Sequence, residues 1–269
     1  MYSPDQAPLS QRKTGFRMKR IIFIMLMSSI GLFSCAQLST DTHKKLNAAQ
    51  SLQKQAHYQN NSGQKHWQVG HWSLYKTTTI TRDGVFHLFD SKQSKGLVEI
   101  LIAATEDDMF WLELMIVKDD EEQHIAALIS TARRAGDQAQ YTVKQLKMHK
   151  NGNTQHFTQA ELAEIQNNKQ MSTVNLWLNF LRHSAHAIAH RNVKVAAGEF
   201  FHVKEVPITT ALWLGMMSGY LWYHNAVPIF PIVKYDLTSS ATRWKHTTET
   251  AELVDFGDSG KRNYFSYEQ

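Results

Sequence analysis

The apolar and polar positions divide the chain into three textures. Residues 18–33 hold one oily run, Ile21 to Met27 followed by Ile30, Leu32 and Phe33, behind Lys19 and Arg20. Residues 39–65 are polar, rich in Gln, Asn, His, Lys and Ser, with too few apolar positions for a packed face beyond a helical pattern around 45–57. From Trp67 short apolar runs recur, separated by turn residues. "HWSLYKTTTITRDGVFHLF" places β-branched and aromatic residues on either side of Asp83-Gly84, which predicts a hairpin. "LVEILIAATEDDMFWLELMIV" predicts two strands joined by an acidic turn at Glu106–Asp108. "HIAALIST" and "YTVKQLKMHK" read as further strands, and Asn151-Gly152 as a turn.

One long helical period interrupts this. Thr158 and Glu161 form a capping box, and the period continues to about His190, with a break point at Asn167-Asn168. Val174, Trp177, Leu178, Leu181, Ala185 and Ile188 share one face; Asn179, His183, His186 and His190 lie opposite. Beyond it, "NVKVAAGEFFHVKEV", "GYLWYHNAVPIFPIVKYDL" and "AELVDFGDSG" return to strands, with Ala197-Gly198 as a bulge or tight bend. Pro228 and Pro231 exclude a central strand for "VPIFP". Successive hairpins predict an α+β, mainly β fold: a curved antiparallel sheet with one long helix or helical pair packed on it.

The oily run is a secretory leader by its anatomy: positive residues, roughly ten apolar ones, then small ones. It is too short to span a bilayer, which takes about 20 apolar residues. Leu32-Phe33-Ser34-Cys35 resembles the bacterial lipobox, with Phe33 where a smaller residue is usual. The resemblance implies cleavage before Cys35 and acylation of this cysteine, the only one in the chain. Ala36 after the anchor implies the outer membrane, with the domain facing the periplasm. The expected organisation is a signal peptide over 1–34 (with Met18 as an alternative start), a lipidated tether over 35–65 and a β-rich domain over 66–269. Residues 1–34 hold five of the 29 Lys and Arg and one of the 24 Asp and Glu, leaving 24 against 23. The basic pI is thus largely the leader's, and charge does not point to nucleic acid.

"VxAGxF" (Val195, Ala197, Gly198, Phe200), "VPIFPIVKYDL" and "ELVDFG", with "VGxWxxY" (Val69, Gly70, Trp72, Tyr75) and "FWLEL" (Phe110 to Leu114), resemble a group of exported bacterial lipoproteins. Their sheet is similar to the half-barrel of the lipoprotein carriers LolA and LolB. The resemblance spans roughly 67–260 and implies a concave apolar sheet able to hold acyl chains, with a helix as lid or filling. It carries no catalytic residue.

Three stretches are candidates for chemistry. "FGDSGK" (256–261) looks like a serine-protease nucleophile motif but lacks a histidine motif before it, and Gly257 and Gly260 suit a turn. His183, His186 and His190, with Arg182, Lys169, Arg191 and Lys194 nearby, are first of all a solvated polar face; its functional reading is a face for an anionic partner, and the His186–His190 spacing also suits a metal, without an acidic residue between Glu164 and Glu199. "ALWLGMMSGYLWYHNAVPIF" is first of all core; its functional reading is that Trp213, Met216, Met217, Tyr220 and Trp222 line a groove for an apolar ligand. The expectation is a non-catalytic, lipid-anchored envelope protein that binds lipid or another apolar ligand in envelope maintenance or trafficking and takes no cofactor. The alternative is a structural lipoprotein docking a protein or envelope polymer through its cationic helix face.

Overall fold

The computed structural model describes residues 57–59, 66–83, 91–119, 121–133, 139–158, 160–162, 173–182, 187–212, 215–242, 245–259 and 263–267. All belong to one unit, Gln37–Gln269. The strands are β1 (His57–Tyr58), β2 (Trp72–Asp83), β3 (Ser91–Glu106), β4 (Met109–Lys118), β5 (Glu121–Arg133), β6 (Ala139–Lys150) and β7 (Asn153–Phe157), then, after helix α1 (Thr173–Arg182), β8 (Ala189–Val195), β9 (Gly198–Leu212), β10 (Gly215–Tyr223), β11 (Ile232–Thr242) and β12 (Lys245–Gly257). They form one open sheet in the order β1-β9-β10-β11-β12-β2-β3-β4-β5-β6-β7, with β8 beside β9. The meander β3 to β6 is the predicted one, flanked by β2 and β7. β12 closes back on β2, which brings residues some 170 positions apart into register, such as Thr79 opposite Glu249.

Local chemistry sets the turns. Asp107 (φ 52°) bends the acidic β3–β4 turn, and Asn151 (φ 52°) with Gly152 (φ 79°) makes the β6–β7 turn, the left-handed pair that Asn-Gly favours. Thr158 and Glu161 form the expected capping box: the Thr158 amide donates to Glu161 Oε2 at 2.7 Å, and the Glu161 amide to Thr158 Oγ1 at 3.3 Å. The Asp83-Gly84 turn and the run after it lie partly outside the described residues, and β2 pairs directly with β3.

The long helix is a correction. Helical structure is described at 160–162 and in the ten-residue α1, and it does not reach His190. By Ile188 the chain is already bonded to β9, the Ile188 amide donating to the Glu205 carbonyl at 2.9 Å, and His190 pairs with Lys204. An exposed His190 serves an edge strand as well as a solvated helix face, and pairing with β9 decides between them.

The sheet has two unlike faces. The inner one joins α1 and the 224–231 segment in a continuous core with Tyr75, Ile100, Leu114, Ile125, Ile208, Leu221 and Tyr235. The outer one carries a smaller cluster, Leu101, Ala103, Trp111, Ala126 and Leu128, covered by Phe265 and Tyr267 of the carboxyl-terminal tail. Across β9, β10, β11, β12 and β2 the outer face also carries a row in direct register: Glu205, Trp222, Lys234, Glu252, Lys76. The Trp222 indole donates to Glu205 at 3.1 Å, and Lys234 reaches Glu252 at 3.3 Å.

Candidate apolar ligand site

The inner face is closed by two pieces of chain rather than by a second sheet. One is α1, whose Trp177, Leu178 and Phe180 are buried and whose Leu181 packs beside them. The other is the 224–231 connection between β10 and β11, where Pro228 and Pro231 end strand pairing as expected. Trp177 is the centre of the plug. Its ring lies 5.0 Å from Tyr75, 5.3 Å from Phe230, 5.5 Å from Phe180 and 5.8 Å from Tyr235.

Buried hydrogen bonds hold the plug to the sheet. Tyr75 donates to the carbonyls of Ile232 (3.0 Å) and Phe230 (3.3 Å), Trp67 to that of Ile229 (3.0 Å) and Ser73 to that of Pro228 (3.3 Å). The Tyr223 hydroxyl donates to the carbonyl of Phe180, tying α1 to β10. Burial raises the phenol pKa of Tyr75 and Tyr223, so both keep their protons and act only as neutral donors. Tyr235 is raised by burial and then by Glu249, to which it donates at 2.5 Å. Ile229, buried and β-branched, sits at φ 63°, a strained conformation costing about 1–3 kcal/mol.

Beyond Tyr235 the inner face turns polar. Thr79 stands between Glu249 and Ser94, and Thr81 faces Thr247. Lys118 donates to Thr79 at 3.4 Å. An apolar interior thus meets a rim of hydroxyls, one carboxylate and one ammonium.

The residues named from the sequence fall in separate places. On β10, Met216, Tyr220 and Trp222 point outward, and Met217 points into the core. A strand sends neighbours to opposite faces, so these four do not line one groove. Trp213, His183 and His186 lie outside the described residues, as do Cys35 and the Arg182 side chain. His190 stands on β8, so the three histidines do not share one helix face. Among the described residues no group of three or more His, Cys, Asp or Glu is arranged to hold a metal ion. In "FGDSGK", Asp258 rather than Ser259 faces a histidine, His71, at 3.7 Å.

Periodicity missed a cavity on the sheet's other face. About 400 Å³ opens on the outer face of β3–β5 beside the tail, lined by Glu99, Glu113, Met115, Glu122, His124 and Tyr264. His124 stacks on Tyr264 at 3.5 Å and meets Glu122 at 2.6 Å. Glu113, buried, accepts from the amides of Tyr264 (2.9 Å) and Phe265 (3.0 Å) and from the Tyr267 hydroxyl (2.5 Å). The signal was present in the sequence as Glu113 amid the apolar strand "FWLELMIV", a charge that needs partners when buried.

No protein-family model matches the chain, and no curated protein does. Among solved structures, a DUF1329 family protein from Desulfovibrio piger matches 79% of this chain and 89% of its own, at 8% identity and a TM-score of 0.29. A likeness that distant carries no argument about this chain.

Proposed function

We propose that this chain is a non-catalytic binding protein of the bacterial envelope, anchored to the outer membrane through acyl chains on Cys35, that takes an amphipathic lipid or another apolar ligand on the inner face of its sheet. The reading rests on one observation: the apolar face is covered by a ten-residue helix and one loop, and aromatic side chains of its own chain fill the space. Burying a large apolar side chain is worth about 1.5–3 kcal/mol, so an acyl chain that displaces Trp177 and Phe180 gains what their removal loses. Strain at Ile229 lowers the cost of moving the loop. The polar rim of Lys118, Thr79 and Glu249 suits a headgroup at the mouth.

Titration with a fluorescent fatty acid tests the reading. Saturable binding that quenches Trp177 supports it; absence of binding at micromolar ligand rejects it. The anchor has its own test: Cys35→Ser abolishes incorporation of labelled palmitate and releases the protein from membranes.

A further inference from the structure

We infer that the outer face of β9–β12, opposite the apolar site, binds a neutral polysaccharide chain. Tyr220 is 43% exposed and Met216 55%, and Tyr220 and Trp222 lie 6.1 Å apart, tilted by 40°. An aromatic ring presents an apolar face to the C–H side of a sugar and leaves the sugar's hydroxyls free to reach polar neighbours. Those neighbours are in place. Tyr220 stands opposite Asp236, Asp236 opposite Thr250, and Ser218 opposite Thr238, all on one pleat surface. The row beside them holds Trp222 fixed through Glu205, while Arg191 reaches Glu205 at 2.5 Å.

Charge selects the partner. Arg191, Lys234 and Lys76 on this face are matched by Glu205, Glu252 and Asp236, and Lys234 and Lys76 both meet Glu252. A polyanion or an anionic membrane gains nothing from a balanced face. A neutral, hydroxyl-rich polymer loses no charge solvation there and is offered both stacking and hydrogen bonds. Tyr220, Asp236 and Thr250 stand side by side across three neighbouring strands, which suits an extended chain better than a compact ligand.

The test is an array of immobilised neutral oligosaccharides probed with the full chain in detergent, followed by calorimetry on the strongest binder. The expected result is saturable binding weakened at least about fivefold by Tyr220→Ala and retained by Tyr264→Ala at the far cavity. Tyr220 is surface-exposed, so its variant is expected to keep the parent's circular dichroism; Asp236→Asn is the second variant, expected to weaken binding as well. Absence of binding to every glycan, binding untouched by both variants, or binding only to phosphatidylglycerol vesicles overturns the inference.

Discussion

Trp177 on α1 and Tyr75 on β2 meet with ring centroids 5.0 Å apart, and the same Tyr75 hydroxyl donates to the carbonyls of Phe230 and Ile232. One strand residue therefore holds both pieces of the plug. Trp177→Ala is expected to lower stability by about 3–5 kcal/mol and to leave an apolar cavity. A long-chain fatty acid should restore part of that loss by binding the folded state. Urea denaturation with and without the fatty acid reads both effects.

Glu113 anchors the tail through three hydrogen bonds. Glu113→Ala leaves two amides and a phenol without their acceptor, a loss of about 1–3 kcal/mol. Hydrogen exchange at the Tyr264 and Phe265 amides should accelerate. A chain ending at Arg262 should lose more, because it also strips Phe265 and Tyr267 from the Trp111 cluster and Tyr264 from His124, and adding Glu113→Ala to it should not cost the tail's three hydrogen bonds a second time.

Much of the sheet was legible in the sequence, because β3 to β6 are short apolar runs of strand length bounded by turn residues such as Asp-Asp and Asn-Gly. The capping box at Thr158 and the proline-bounded loop at 228–231 were legible for the same reason: each rests on a local rule. What escaped depended on distant partners. Ala189 and His190 continue a helical period by their own spacing and are strand because β9 pairs with them. Met216 and Met217 read as one apolar patch until β10 placed them on opposite faces. The tail at 263–267 has too little sequence to show that it covers Trp111 and Glu113.

Gly219 lies at φ 155°, where a Cβ would come 2.0 Å from the Asp236 carbonyl oxygen. Gly152, at φ 79°, has nothing within 4 Å. Gly219→Ala should therefore cost several times more than Gly152→Ala, which carries only backbone strain of about 1 kcal/mol. Paired urea midpoints at constant m-value test the contrast.

Burial holds the His124 pKa below its ordinary 6.5, against the opposing pull of Glu122. Near and below that value the unfolded chain binds more protons at this position than the folded one. Stability therefore rises with pH through this window and falls as the medium is acidified from neutral to about pH 5. His224, also lowered by burial, adds to the same slope. His124→Gln should flatten part of it in denaturation curves taken across that range.

The most direct test of the account is native mass spectrometry of the full protein recovered gently from cells, with Cys35→Ser, taken from the soluble fraction, separating anchor acyl chains from bound ligand. The account predicts excess mass matching a phospholipid or fatty acid on the Cys35→Ser protein, lost when Leu114→Glu charges the inner face in a protein that remains folded by circular dichroism. A bare Cys35→Ser mass, before and after incubation with lipid, would contradict it and make the inner face no more than a core.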